Sequence, residues 1–429
     1  MLLATISKAQ EVAYQEYDLD NGLHVILHQD NGAPVVTTSV MYHVGAKDEN
    51  ENKTGFAHFF EHLLFEGTAN IGRGEWFKIV SSNGGQNNAN TTQDRTYYYE
   101  VFTSNNLELG LWLESERLMH PVINQIGVDT QKEVVQEERR MRYDNSPYGR
   151  WQEQMGIHLY KKHPYRWQTI GSLEHLASAS LEDFKDFNKT YYVPNNAVLV
   201  VAGDIDIAVT KKMIDDYFGP IPRGEKIQRK TIIEEPITQT IKASYKDPNI
   251  QIPAIFAGYR TPKNTDREAY VLDMISTYLS SGKSSKLYKK LVDEKKKAVQ
   301  VFAFNISQED YGSYVIGALP LGENSLQDLL NEIDEEIVKL QTDLISEKDY
   351  QKIQNKFENQ FVNSNSSIAG IANSLARNYL LYDNTDLINS EIEIYRSITR
   401  EEIKKVANKY LHPNQRVELQ YLPGESTGK

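Results

Sequence analysis

GFAHFFEHLLFEGT, residues 55–68, decides the fold and points to the chemistry of this 429-residue chain. His58 and His62 stand four positions apart in it, at a helical spacing that places both imidazoles on one face, within reach of one ion. Glu61 lies three residues after His58 on nearly the same face, where its carboxylate can take a proton from a water on that ion. The order His-x-x-Glu-His is the inverted form of a zinc peptidase motif.

A catalytic zinc site needs a third protein ligand and an open position for water. The chain contains no cysteine, so that ligand must supply nitrogen or oxygen. The helical pattern over 126–142 is rich in glutamate, with Glu133, Glu137 and Glu138. We expect one of these carboxylates to complete the site, although most glutamates on such a helix are solvated and spacing alone does not choose among them.

The composition indicates a folded protein with an acidic balance. Hydrophobic residues make up 40% and charged residues 25%, which is typical of globular chains. A net charge of -12 disfavours nucleic acid as a partner. No stretch reaches the roughly 18 continuous apolar residues of a membrane-spanning helix, so we predict no membrane span.

Alternating patterns predict strands and helices in turn. Two strands, HVILH and PVVTTSVMYHV, form a predicted pair that turns around Asp30-Asn31-Gly32. Helices are predicted near 55–65, 105–119 and 126–142, and a buried strand at 195–205. This mixture predicts an α+β fold.

The chain also repeats itself at one offset. Pro194 and Pro413 occupy similar stretches 219 residues apart (413 − 194), and 126–138 resembles 345–357 in pattern at the same offset. The polar stretch between the halves carries three of the 14 prolines. We therefore predict a domain at 1–220 that carries the histidine motif, a linker at 221–240, and a homologous domain at 241–429 without that motif.

Together these motifs resemble the pitrilysin family, which includes insulin-degrading enzyme and the mitochondrial processing peptidase. The likeness covers nearly the whole chain and is nearest to short bacterial zinc peptidases and to the processing peptidase beta subunit. It rests on four stretches: 55–68, 84–102, 133–142 and 280–295. The resemblance implies two homologous domains, each a mostly antiparallel or mixed sheet backed by helices, that form half of a clamshell.

The resemblance also assigns roles to residues. It implies one Zn²⁺ per chain with ligands His58, His62 and Glu138, and with Glu61 as the catalytic base. Glu137 is the alternative third ligand. Family members usually carry another glutamate seven residues before Glu138, where this chain has Gln131. The hydrogen bonds that orient the metal ligands are therefore expected to differ here.

The family places an edge strand beside the metal, and its counterpart here is NNANTT at 87–92. An unpaired strand edge offers backbone donors and acceptors to an extended peptide. Asn88 and Ala89 are therefore the expected substrate-binding residues. The alternative for these two is an ordinary turn and strand start.

The resemblance predicts a zinc metalloendopeptidase that cleaves extended peptides as the catalytic subunit of a heterodimer. Self-sufficient relatives carry an arginine and a tyrosine in the second half, where this chain has Val292 and Val299. We expect a related partner subunit to supply that pair, with Tyr288 or Lys289 as alternative donors. The rival hypothesis is a non-catalytic structural subunit, and the bacterial periplasm is favoured over the cytoplasm.

One further pattern is set aside. Gly282-Lys283-Ser284 looks like the end of a phosphate-binding loop of nucleotide-binding proteins. That loop requires a glycine five residues before Gly282, and this position holds Thr277. We therefore predict no nucleotide binding.

Overall fold

The structure is a computed structural model that describes residues 11–424. In chain order its first-half elements are β1 (Gln15–Asp18), β2 (His24–Gln29), β3 (Val35–Tyr42), α1 (Phe56–Leu63), α2 (Trp76–Ser82), β4 (Gln86–Thr91), β5 (Thr96–Thr103), α3 (Leu107–Met119), α4 (Gln125–Arg139), α5 (Trp151–Leu159), α6 (Leu173–Ser178), α7 (Leu181–Tyr191), β6 (Ala197–Gly203) and α8 (Ile207–Phe218). The second half adds β7 (Ile241–Asp247), β8 (Ala254–Thr261), α9 (Arg267–Ser280), β9 (Ala298–Ile306), β10 (Gly312–Pro320), α10 (Leu326–Thr342), α11 (Glu347–Ser364), α12 (Ile368–Tyr382), α13 (Leu387–Ser397), α14 (Arg400–Tyr410) and β11 (Arg416–Pro423).

Two compact units divide these elements, and each is built around one sheet. The first unit contains 11–133, 169–229 and 358–392, and the second contains 134–168, 230–357 and the described residues from 393 onward. The division falls inside α4, α11 and α13, which are continuous helices. The predicted α+β fold of two sheets backed by helices is confirmed.

The sheet of the first unit has six strands in the order β1-β2-β6-β3-β5-β4. It is mixed, because β6 runs parallel to β2 and antiparallel to β3. Every residue of β6 is buried, as expected for an apolar strand in the middle of a sheet. The predicted strands β2 and β3 are present, but their predicted pairing is wrong, because β6 lies between them.

The second unit repeats this arrangement with five strands in the order β7-β11-β8-β10-β9. Its strand β11 runs parallel to β7 and antiparallel to β8, as β6 does between β2 and β3. The bounds of α7 and α14 differ by 219 at both ends (400 − 181 and 410 − 191), and a capping box opens each helix. The duplication seen in the sequence is therefore a duplication of topology.

Each sheet is covered on one face by a helix from the other half of the sequence. In the first unit, Leu375 and Ala376 of α12 pack on Ile26 and Val200. In the second unit, α5 packs against strands of its sheet through buried side chains such as Met155. Adding 219 to the bounds of α5 gives 370–378, which lies within α12, so the two helices occupy corresponding places. The division into continuous domains at 1–220 and 241–429 stays a prediction.

Among the described residues, no helix is both long enough and apolar enough to cross a membrane.

Candidate metal centre

Helix α1 starts at a glycine and is capped by a buried carboxylate. Gly55 has a φ of 96°, a left-handed conformation that favours glycine, and a Cβ there would lie 2.8 Å from the Ile170 carbonyl oxygen. The Glu49 carboxylate accepts the N–H groups of Gly55 and Ala57 at 2.8 and 2.9 Å. Because the first N–H groups of a helix lack partners within it and favour negative charge, Glu49 holds the start of α1 in place.

Aromatic side chains hold the helix on the side away from its histidines. Phe59 stacks on Phe184 of α7 with ring centroids 4.5 Å apart. Tyr98 of β5 donates its hydroxyl to the Phe60 carbonyl oxygen at 2.7 Å in a buried position. Tyr98 therefore joins the sheet to the helix. These contacts fix the rotation of α1 about its axis.

Three candidate ligand atoms converge beside α1. One nitrogen each from His58 and His62 and one Glu138 carboxylate oxygen all lie within 4.8 Å of one another. The two imidazole centroids are 5.0 Å apart. His58 is buried, and the other two residues are half-buried. Two imidazoles and one carboxylate form the ligand set of one class of catalytic zinc sites, so the residues present fit a zinc ion.

The two adjacent glutamates of α4 have different surroundings. Glu138 lies in the last turn of α4, has a side chain 16% exposed, and pairs with Arg142 at 2.7 Å. Glu137 is 59% exposed and pairs with Arg140 at 3.1 Å. Consecutive helical residues point about 100° apart, so of these two it is Glu138 that faces the histidines. The backbone then widens into π-helix at Arg140–Asp144, a local form that is frequent at functional sites.

Glu61 is not one of the three converging atoms and has its own partner. Its Oε2 accepts the Thr91 hydroxyl at 2.7 Å. Thr91 is the last residue of β4, so this bond ties the end of the edge strand to the helix that carries both histidines. A carboxylate held beside the group of ligands, but outside it, can exchange protons with a water there.

Strand β4 is the edge of its sheet and pairs only with β5 in the part of the chain that the structure describes. Thr92 donates its N–H to the Arg95 carbonyl, which sets the alternation of the antiparallel ladder. The backbone groups of Asn88 and Asn90 therefore point towards β5. Those of Ala89, and of its neighbours two residues away, point to the open edge.

The two predicted substrate residues thus differ in position. Ala89 directs its N–H and C=O to the open edge, where an incoming strand would pair. Asn88 is exposed, and its Oδ1 accepts the Ala89 N–H at 2.9 Å. An added strand would have to displace the Asn88 side chain to reach that donor.

Gln131 lies two turns before Glu138 on the same helix face. Its Nε2 donates to Glu66 at 2.5 Å, and Arg73 forms an ion pair with the same carboxylate. Glu66 follows the end of α1, so the Gln131 amide joins the two helices that carry the converging atoms. Where the resemblance implied a carboxylate in α4, this chain has an amide that donates to a carboxylate on the segment after α1.

A buried arginine holds the other end of the motif. Arg117 of α3 donates to the Leu64 carbonyl oxygen at 3.2 Å and pairs with Glu100 and Glu114 at 3.0 and 3.1 Å. All three ionisable side chains are fully buried. Burial, and then repulsion from Glu114, raises the pKa of the Glu100 carboxyl well above its usual range.

Sequence reasoning missed three residues that organise this centre. Glu49 was overlooked because it lies six residues before the cap residue Gly55, outside the positions of local capping motifs. Thr91 stood within the quoted edge strand but was not singled out. Arg117 gives no local signal, because its partners are distant in sequence and come together only in the folded sheet.

Two family models match the chain. Residues 24–171 match the model described as Insulinase (Peptidase family M16), and residues 178–357 match the one described as Peptidase M16 inactive domain. His58, His62 and Glu138 all fall within the first match.

Curated relatives cover nearly the same length. A Helicobacter pylori protein named zinc protease PqqE is 29% identical over 94% of this chain and 91% of its own length. A Bacillus subtilis protein named uncharacterized zinc protease YmxG is 24% identical over 92% of this chain and 94% of its own length. An Arabidopsis thaliana protein described as a probable mitochondrial-processing peptidase subunit beta is 22% identical over 92% and 75%.

Solved structures share the fold. A protease from Helicobacter pylori superposes with a TM-score of 0.91 at 28% identity, covering 96% of this chain and all of its own. An M16 inactive domain from Pseudomonas fluorescens gives a TM-score of 0.86 at 15% identity, covering 97% of this chain and 100% of its own. The first half of the periplasmic protease PqqL from Escherichia coli gives a TM-score of 0.78 at 19% identity, covering 97% of this chain and 93% of its own. At identities as low as those of the last two structures, the likeness concerns the fold alone.

Proposed function

Because the chain belongs to peptidase family M16, the insulinase or pitrilysin family, we propose that it is a zinc metalloendopeptidase that cleaves peptides bound in extended form. The observation that carries this proposal is the convergence of His58, His62 and Glu138 beside the Glu61 carboxylate. Relatives named zinc proteases match over more than nine tenths of this chain, which supports the same chemistry.

In this proposal His58, His62 and Glu138 hold one zinc ion per chain. When bound, zinc polarises the scissile carbonyl and lowers the pKa of a bound water to about 7. Glu61 takes a proton from the attacking water and passes it to the leaving amine. Oε2 accepts the Thr91 hydroxyl, which leaves both lone pairs of Oε1 available for this proton.

Strand addition at β4 supplies the substrate site. An extended peptide pairs with the backbone groups of Ala89 and of the residues two positions before and after it. Such pairing reads backbone shape more than side-chain identity. The Thr91–Glu61 bond keeps the end of this strand next to the proposed base, so a peptide bond aligned along β4 is brought to the site of proton transfer.

The rival function is a non-catalytic subunit, as in family relatives that have lost metal ligands. The Pseudomonas fluorescens structure with the same fold is described as an inactive domain. This chain retains all three candidate ligands and the candidate base, which favours the enzyme. We also propose a periplasmic setting, because the Escherichia coli protein PqqL, which shares the fold, is described as a periplasmic protease.

Metal analysis of the purified chain, combined with cleavage of an unstructured peptide, tests the proposal. We expect about one zinc per chain, which Glu61→Gln retains while cleavage is lost, because Glu61 exchanges protons and binds no metal. His62→Ala should lose the zinc. If Glu61→Gln emptied the site of a correctly folded protein, the division of roles would be wrong.

Glu137 provides a matched control for the third ligand. Glu138→Gln should weaken zinc binding severely, since a neutral amide replaces the carboxylate that faces the histidines. Glu137→Gln should leave metal content near normal, because that side chain is exposed. The opposite pattern would shift the ligand by one residue.

We further propose that the active enzyme includes a related partner subunit. Val299 is 49% exposed at the start of β9, which occupies the edge of the second sheet, and Val292 lies in the π-helical stretch before it. Neither side chain can donate a hydrogen bond, whereas the resemblance implies an arginine and a tyrosine at these places. Loss of one donor to the developing oxyanion costs about 10²–10³ in rate.

Cleavage by the chain alone should therefore be weak. We expect activity to rise on mixing with a relative that lacks the histidines but carries the arginine and tyrosine. Introducing Val292→Arg and Val299→Tyr together should raise the activity of the isolated chain. Full activity without a partner, unchanged by mixing, would contradict the need for a second subunit and leave the peptidase proposal intact.

A further inference from the structure

A small cavity in the second unit is lined by lysine and hydroxyl side chains set against the apolar surfaces of Tyr278 and Ile353. It has a volume of about 70 Å³, room for a few water molecules or one tetrahedral oxyanion, and lies between the end of α9, the following loop and α11. Its charged lining is Lys286, Lys352, Lys356 and Asp349. Three lysines against one carboxylate contrast with the acidic balance of the chain as a whole.

One of the three lysines is neutralised at the cavity. Lys286 pairs with Asp349 at 2.8 Å, and the same carboxylate accepts the Ser346 hydroxyl at 2.7 Å. Lys352 and Lys356 stand four residues apart on α11, which brings two like charges to one helix face. Within residues 11–424, no ion pair joins either of these two lysines to a carboxylate.

Two serine hydroxyls that line the cavity accept hydrogen bonds from these lysines. Lys352 donates to Ser284 and Lys356 donates to Ser281. A hydroxyl that accepts from a lysine still has its own hydrogen to donate. Burial and the neighbouring Lys352 lower the pKa of Lys356, which is the effect expected of positive charge without a counter-charge. An anion in the cavity would meet both the ammonium groups and the free hydroxyl hydrogens.

We propose that this cavity binds a single phosphate-sized oxyanion, as inorganic phosphate or as the phosphate of a small monoester, through Lys352, Lys356 and the hydroxyls of Ser281 and Ser284. The same loop carries the glycine, lysine and serine that fail the spacing of a nucleotide loop. The side chains of this loop, together with those of α11, form a phosphate site that does not depend on a nucleotide-binding loop. Because charge-assisted hydrogen bonds dominate it, affinity falls as ionic strength rises.

Titration calorimetry of the full chain with inorganic phosphate, and separately with glycerol 3-phosphate, tests the proposal. We expect saturable binding at one site for at least one of these two probes. Lys352→Gln combined with Lys356→Gln should weaken it at least tenfold, since two charged hydrogen bonds are lost. The control pair Lys189→Gln with Lys212→Gln changes the net charge equally in the first unit and should leave affinity unchanged.

Two further measurements keep the outcome clear. Without phosphate, the double lysine variant should melt at the same temperature as the wild type or higher, because a like-charge repulsion is removed. His62→Ala should keep phosphate binding, which separates this cavity from the metal centre. No saturable binding of either probe at millimolar concentration, equal binding by the double lysine variant, or equal loss in the control pair would overturn the proposal.

Discussion

Replacing Ala89 with proline removes one backbone donor from the open edge of β4 and changes little else. Proline lacks an N–H, but an edge strand tolerates it where the N–H faces away from the sheet. The ladder alternation directs the Ala89 N–H away from β5, and its present partner is the Asn88 side chain. We therefore expect Ala89→Pro to fold and to bind zinc.

The size of the effect follows from one lost backbone hydrogen bond. A peptide carbonyl left without its donor in a closed site costs about 1–3 kcal/mol. This corresponds to a loss of roughly 5- to 150-fold in kcat/KM at 25 °C. Because the peptide pairs with β4 both before and during reaction, much of the loss should come as a raised KM.

The assay compares Ala89→Pro with Asn90→Pro, one residue further along the strand. Asn90 directs its N–H towards Tyr97 of β5, so proline there breaks a ladder bond inside the sheet. Asn90→Pro should lower the melting temperature, whereas Ala89→Pro should leave the melting temperature unchanged and lower kcat/KM. An Ala89→Pro enzyme with wild-type kcat/KM would refute substrate binding by strand addition at β4.

Three other predictions concern the scaffold. The raised folded-state pKa of Glu100 means that the wild type is most stable below the ordinary glutamate pKa and loses stability as pH rises from there to the raised value, so Glu100→Gln should become increasingly stabilising over that window and level off above it; urea unfolding across a pH series measures this. Glu49→Ala should cost about 1–3 kcal/mol in the same assay and weaken zinc binding, because two buried N–H groups at the start of α1 lose their acceptor. A fragment of residues 1–220 lacks α12, so it should pack loosely and give a poorly dispersed or exchange-broadened NMR spectrum. Adding a peptide of residues 358–392 should restore a well-dispersed spectrum.

The sequence was most informative where its signal was local. The spacing of His58 and His62 predicted two ligands on one helix, and the structure brings them together with Glu138. Residue patterns alone left three glutamates of α4 open. The resemblance was needed to choose Glu138, and the structure distinguishes it from Glu137 through exposure and direction.

Features that depend on distant segments were beyond local patterns. The turn after β2 suggested a hairpin with β3, but β6 is inserted between them because its continuous apolar run requires a central place in the sheet. Local patterns also did not show that α5, from the first half of the sequence, covers the second sheet and that α12, from the second half, covers the first. Nothing in either helix sequence marks the sheet that it covers, and only the three-dimensional contacts show it.

That exchange bears on how the chain is made. Translation delivers α12 late, so the face of the first sheet that it covers stays uncovered until Tyr382, the last residue of α12, has been synthesised. The second unit needs β11, which ends at Pro423. Domains of many proteins fold one after another from the N-terminus as they leave the ribosome. Here neither core closes until a late segment has been made, α12 for the first unit and β11 for the second, and the nascent first sheet carries its apolar face uncovered until α12 arrives.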